Sequence, residues 1–197
     1  MGGAAGYCEV LRFLGILNMN AQDVIQFWFT EIDSALWWKK DLTFDDLIRT
    51  RFGETHQQAI RGELAHWRAD PHGRLAEIIV LDQFSRNLYR DDARAFAYDL
   101  AALVLAQETI RLGLDQQLTT VEKPFLYLPF MHSESLTIHE QAVKLYDIKG
   151  LEFNLSFEHK HKVIIERFGR YPHRNAVLGR VSSAEELLFL QQPDSGF

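Results

Sequence analysis

Residues 72–90 read HGRLAEIIVLDQFSRNLYR, and this stretch decides the fold. Asp70-Pro71 stands immediately before it, an N-cap residue followed by the one residue pre-set for a first helical position. At 100° per residue, Leu75, Ile79, Asp82 and Arg86 fall within about 60° of one another. Val80, Leu81, Phe84 and Leu88 occupy the opposite side. A helix that is apolar nearly all round is a buried one, so the spacing predicts a central helix from about His72 to Tyr89. Asp82 and Arg86 are four residues apart, within ion-pair reach. A buried carboxylate costs several kcal/mol unless it is paired. The two are therefore either a satisfied core ion pair or part of a polar pocket.

Outward from this helix the same punctuation recurs. Residues 21–31 predict a helix whose Val24, Phe27 and Trp28 share a face. SALWWKKDL reads as a turn whose tryptophans need a pocket, and FWF, Trp37, Trp38, Tyr127 and Phe130 read as core. Thr43 is the expected N-cap, with Asp46 near the start, of a helix running toward Trp67. Further helices are expected from Ala93 to Leu112, closed by Gly113; from Glu122 to Phe130, kinked or restarted at Pro129; from Ser135 to near Gly150; and from 156 to 168, closed by Gly169. Ser182 or Ser183 caps a last one, AEELLFLQQ. Strand signals are scarce, without alternating runs or Asn-Gly and Asp-Gly hairpins. The expected class is all-α, a stack of antiparallel helical hairpins without an exact repeat. Residues 1–18 read as an extension, 19–192 as one helical domain and 193–197 as a tail.

Composition bounds the rest. The 197 residues carry a net charge of −6, are 47% hydrophobic and 24% charged, and include one Cys. Disordered and fibrous chains are excluded. One Cys forms no internal disulfide, which points to a reducing, cytoplasmic setting. No run reaches the ~18 apolar residues of a membrane span, so no membrane partner is expected. No Walker-type loop, GxSxG, CxxC or HExxH is present, which removes the main support for nucleotide, serine-hydrolase, thiol-redox and zinc-protease chemistry.

Polar residues interrupt apolar patterns at two further places. In LPFMHSESLTIHEQ (128–141), His132 and Glu134 follow an aromatic run at a Pro-marked helix end. Backbone of this kind frames binding sites, although a capping Glu and a core His are an equally available reading. In HKHKVIIERFGRYPHRNAVLGR (159–180), His161 shares a face with Ile164, Ile165 and Phe168, and Arg167, Arg170, Arg174 and Arg180 crowd a turn that contains Asn175. Residues 160–180 carry +5, so the rest of the chain carries −11. Clustered guanidinium groups suit a carboxylate or phosphate; they suit the chain's own acids as well. Asp82, His132, Glu134 and His161 are thus the candidate acid–base residues. Arg86, Asn87, Arg167, Arg170, Arg174 and Asn175 are the candidate ligand contacts. No metal set or cofactor is assigned. His56, His66 and His72 read as surface or helix-end residues. The expected partner is a small anion, with a peptide or protein in a helical groove as the alternative; RNA binding at 160–180 is opposed by the charge of the remainder.

FWF, WWKKDLTFDDLIRTRFG, LDQFSRNLYRDDARAFAYD, FLYLPFMHSE and HKVIIERFGRYPHRNAVLGR follow one another between Ala21 and Leu190. In this order and spacing the chain resembles the bacterial family known as domain of unknown function 924. The resemblance implies a tetratricopeptide-like α-helical superhelix and no activity. It carries Asp82, Arg86, Asn87, His132, Glu134, His161, Arg167, Arg170, Arg174 and Asn175 as motif positions. His159, in the stretch NLSFEHKHK, is not among them.

Overall fold

A computed structural model describes residues 19–193 and 195–196, and the N-terminal stretch read as an extension lies outside them. The described residues form helices and turns and no strand. None of these helices is long and apolar enough to cross a membrane.

Helix α1 (Ala21–Gln26) starts on a reciprocal cap. The Asn20 side chain accepts from Asp23 N, and the Asp23 carboxylate accepts from Asn20 N. It continues as a π-helical turn, Phe27–Glu31, that buries Phe27 and Trp28. The 3-10 turn Ser34–Trp38 follows, where Trp37 Nε1 donates to the Trp28 carbonyl. Trp38 departs from the core reading: it is 58% exposed, its ring stacked on Phe125.

Helix α2 (Leu42–Ile60) is capped by Asp41 rather than Thr43. The Asp41 carboxylate reaches both Thr43 N and Phe44 N, which the shorter threonine hydroxyl two positions on does not need to serve. Its first-turn acid is Asp45, and it stops at Ile60, with a separate 3-10 turn carrying Trp67.

The central helix is capped by Asp70 with Pro71 at its first position. It comprises α3 (Pro71–Ile79), a π-helical turn Val80–Phe84 and α4 (Ser85–Leu88), with helical backbone at both junctions. Its start lies so close to the preceding turn that a Cβ on Gly73 would stand 1.8 Å from the Trp67 carbonyl oxygen. Beyond it the chain makes a 3-10 turn, Ala93–Ala95, before α5 (Asp99–Arg111), so the single helix expected from Ala93 is two elements. Gly113 closes it at φ 69°, where glycine carries no Cβ penalty.

Helix α6 (Lys123–Met131) runs through Pro129 without restarting. Helix α7 (Leu136–Tyr146) ends before Gly150, and α8 (Glu152–Phe168) begins earlier than expected and ends on Gly169 at φ 67°. Ser183 caps the short α9 (Ala184–Phe189) through a capping box with Glu186.

Helix α3 packs against α1, α5 and α6, while α7 packs between α6 and α8. This neighbour order is compatible with stacked helical hairpins. Val24, Phe27, Trp28, Ile48, Phe52, Ile79, Phe84 and Phe125 anchor the main core, with aromatic rings meeting edge to face around Trp28. Ile164, Ile165 and Tyr171 form a smaller cluster beside it.

Candidate functional site

The π-helical turn in the central rod carries Asp82 inward, where it is 1% exposed. One of its carboxylate oxygens lies 2.7 Å from His132 Nδ1 and 3.1 Å from Arg86 Nη1; the other accepts from Gln83 Nε2 at 2.6 Å. A carboxylate can only accept, so Nδ1 of His132 holds the proton and Nε2 carries the lone pair. Burial opposes the charge on Asp82, but Arg86 and the imidazole outweigh it and hold the carboxyl well below the usual carboxylate range. Burial, reinforced by Arg86, lowers the pKa of His132, so the imidazole is neutral at neutral pH.

Arg86 then links this pair to Asp99 in the first turn of α5, with fork-shaped bonds of 2.9 and 3.0 Å. Arg174, in the 3-10 turn Pro172–Arg174, reaches the same carboxylate at 3.2 Å. It is 6% exposed and its guanidinium carbon lies over the rings of Phe96 and Tyr171, 4.5 and 4.6 Å from their centroids. Its Nε is buried without a partner among the described residues. Burial and the neighbouring Arg86 push its pKa down. Of its five donors, one long hydrogen bond to Asp99 is the engagement the structure shows.

Glu134 completes the group. Its carboxylate accepts from the Tyr171 amide at 2.8 Å and from both terminal nitrogens of Arg180 at 2.6 and 2.9 Å. Half-burial raises its pKa, but these donors bring it below the ordinary value.

His132, Glu134, Asp99 and Arg174 border a cavity of about 340 Å³. Phe96, Leu100, Leu103, Pro129 and Leu178 form its apolar wall. Asp82 and Arg86 stand behind this lining and set the tautomer and position of the groups on it. The acids and arginines balance: Asp82, Asp99 and Glu134 face Arg86, Arg174 and Arg180.

Other candidates lie elsewhere. His161 is 5% exposed but sits behind Tyr171, off the cavity, with Nδ1 bonded to the Phe157 carbonyl at 2.8 Å; burial lowers its pKa to about 3. Asn87 points to the other side of the rod, where it and Arg90 hold the buried Asp45 of α2. Arg167 pairs with Glu185, and Arg170 grips Glu186 at 2.6 and 2.8 Å, which fastens α9 to the end of α8. Asn175 donates to Ser182 Oγ. The positive stretch 160–180 is thus largely neutralised by Glu166, Glu185, Glu186, Asp99 and Glu134.

His56 corrects the surface reading. It is fully buried, with Nε2 2.8 Å from Ser85 Oγ. Ser85 Oγ donates to the Leu81 carbonyl at 2.6 Å, so His56 donates to the hydroxyl and cannot act as its base. A second buried imidazole, His139, meets Glu158 at 2.7 Å and the Ser133 carbonyl at 2.9 Å. Asp99 and Phe96 on the cavity, and Tyr171 buried against Arg174, are residues that sequence reasoning passed over. An acid in a first helical turn reads as a dipole partner, and nothing in its spacing announces two arginines from distant segments.

A helical protein with a carboxylate-oriented histidine beside a mainly apolar cavity is the class that this fold and geometry define. Residues 24–194 match the family model described as bacterial protein of unknown function, DUF924, and the chain belongs to that family. The structure is similar to that of ATU0120, a protein of unknown function from Agrobacterium tumefaciens, with a TM-score of 0.82, 37% identity, and coverage of 87% of this chain and 96% of that one. No curated protein matches the chain.

Proposed function

We propose that the protein binds a small anionic molecule in the cavity between α5 and the α6–α7 turn and presents His132 Nε2 to it as a general base. The observation that carries this reading is the pairing of two incompletely engaged groups on one wall. His132 donates from Nδ1 to Asp82, which leaves Nε2 without a hydrogen bond among the described residues. Arg174, buried against the rings of Phe96 and Tyr171, has donors to spare. An imidazole fixed in this tautomer and kept neutral is prepared to take a proton. A guanidinium already stripped of water binds a carboxylate or phosphate oxygen more strongly than a surface one does. Arg167, Arg170, Asn87 and Asn175 serve the fold in this reading, and His161 supports Tyr171 behind the site.

The test is nitrogen-15 NMR of His132. The wild type should show the Nδ1-protonated tautomer, and millimolar acetate or orthophosphate should move its signals. Ala97→Phe, an exposed substitution that fills the cavity mouth, should suppress the response without touching a polar group. Arg174→Gln should suppress it as well. Signals unmoved by either anion in the wild type would refute the proposal.

A further inference from the structure

The cavity is amphipathic. Its polar groups are His132, Glu134, Asp99 and Arg174; its apolar ones are Phe96, Leu100 and Leu103, with Pro129 and Leu178. Leu100 at the mouth is 72% exposed, and Ala97 beside it is exposed as well. The mouth of this wall is exposed, and a ligand that covers it gains free energy in proportion to the apolar area.

Charge narrows the head group. The three arginines around the polar side are matched by three carboxylates; among the described residues Nε is buried without a partner in both Arg174 and Arg180, but Arg180 makes three hydrogen bonds through its terminal nitrogens where Arg174 makes one. A dianion entering there would face Asp99 and Glu134 at close range with no surplus positive charge. A monoanion needs one planar guanidinium edge, and Arg174, with its Cζ 4.5 and 4.6 Å from the Phe96 and Tyr171 ring centroids, makes one hydrogen bond to a protein acceptor among the described residues. Size narrows the rest. A cavity of ~150 Å³ takes benzene, so 340 Å³ has room for about a dozen non-hydrogen atoms.

Resting on the reading above, we infer that the ligand is an amphipathic monocarboxylic acid of medium length, with its carboxylate on Arg174 beside His132 and its hydrocarbon part along Phe96, Leu100, Leu103 and Leu178. The carboxylate competes with Asp99 for one donor of Arg174, while Arg86 retains Asp99 by its bidentate grip.

Calorimetry with straight-chain acids from acetate to dodecanoate, kept below micelle concentration, tests it. The dissociation constant should fall about two- to fourfold per methylene and level off near eight to ten carbons. Ala97→Phe, which fills the mouth, should weaken acetate together with the longer acids and move the levelling point to shorter chains. Arg174→Gln should weaken every acid by a similar factor without changing the increment per methylene. Binding of acetate with no gain along the series overturns the amphipathic ligand and leaves the anion site standing. Alkanols binding as well as acids of equal length overturn the role of Arg174 and the anion reading with it. No binding at any length overturns both.

Discussion

Acidification from pH 7 to pH 5 should unfold this protein far more than exposed histidines allow. His56 and His161 are buried and neutral, with pKa values lowered by burial to about 4 and about 3. The partly buried His173 is lowered to about 4, by burial first and then by Arg174. In the unfolded chain each titrates near 6.5. The folded pKa values are depressed, so these imidazoles gain protons on unfolding, and stability falls as pH drops through the window from about 6.5 toward 4. A histidine with these two values costs about 1.8 kcal/mol between pH 7 and pH 5. The two fully buried rings together cost about 4 kcal/mol, and His173 adds up to about 2. Glu158 runs the other way: burial raises its pKa, so it offsets up to one proton near the acid end. The sum approaches the whole stability of a small protein, about 5–15 kcal/mol. Urea unfolding followed by tryptophan fluorescence at pH 7, 6 and 5 measures it. The slope against pH should correspond to uptake of two to three protons, and His161→Gln should lower it by about one. Equal unfolding free energies at pH 7 and pH 5 would show that these rings are charged or hydrated in the folded state, and the reasoning would fail.

Two further outcomes check the packing. Gly73→Ala places a methyl group against the Trp67 carbonyl, a backbone atom with no rotamer to yield; it should cost about 1–3 kcal/mol, measured by thermal unfolding, and an unchanged melting temperature would contradict the close approach. Asp45→Ala leaves the donors of Asn87 and Arg90 without their acceptor between α2 and α4. It should cost about 2–4 kcal/mol, and the double variant with Arg90→Ala should cost less than the sum of the two single ones.

Much of the helix punctuation was legible. Asp70-Pro71 marked the central helix, Gly113 and Gly169 ended theirs, and Ser183 began the last one, because caps are local hydrogen bonds between near neighbours. Boundaries failed where the competing partner was also local but better placed, as at Asp41 against Thr43. The π-helical turns at Phe27–Glu31 and Val80–Phe84 left no such mark. An expanded turn is kept by what its side chains meet across the core, and that is not a property of the segment.

The polar residues divide along the same line. Sequence by itself determined that Asp82 and Arg86 share a helix face, that His161 points inward, and that 160–180 concentrates positive charge. Each follows from helical period or composition. Tertiary structure decided which of these groups meet. It brought Asp82 to His132 across 50 positions, Arg174 to Asp99 across 75, and Arg180 to Glu134 across 46. It sent Arg167 and Arg170 to α9 and hid His56 in the core. An ion pair depends on distance in space, and period within a helix fixes only direction. The cavity therefore belongs to the packing of α5 against the α6–α7 turn and the Pro172–Arg174 turn, which no single stretch of the chain specifies.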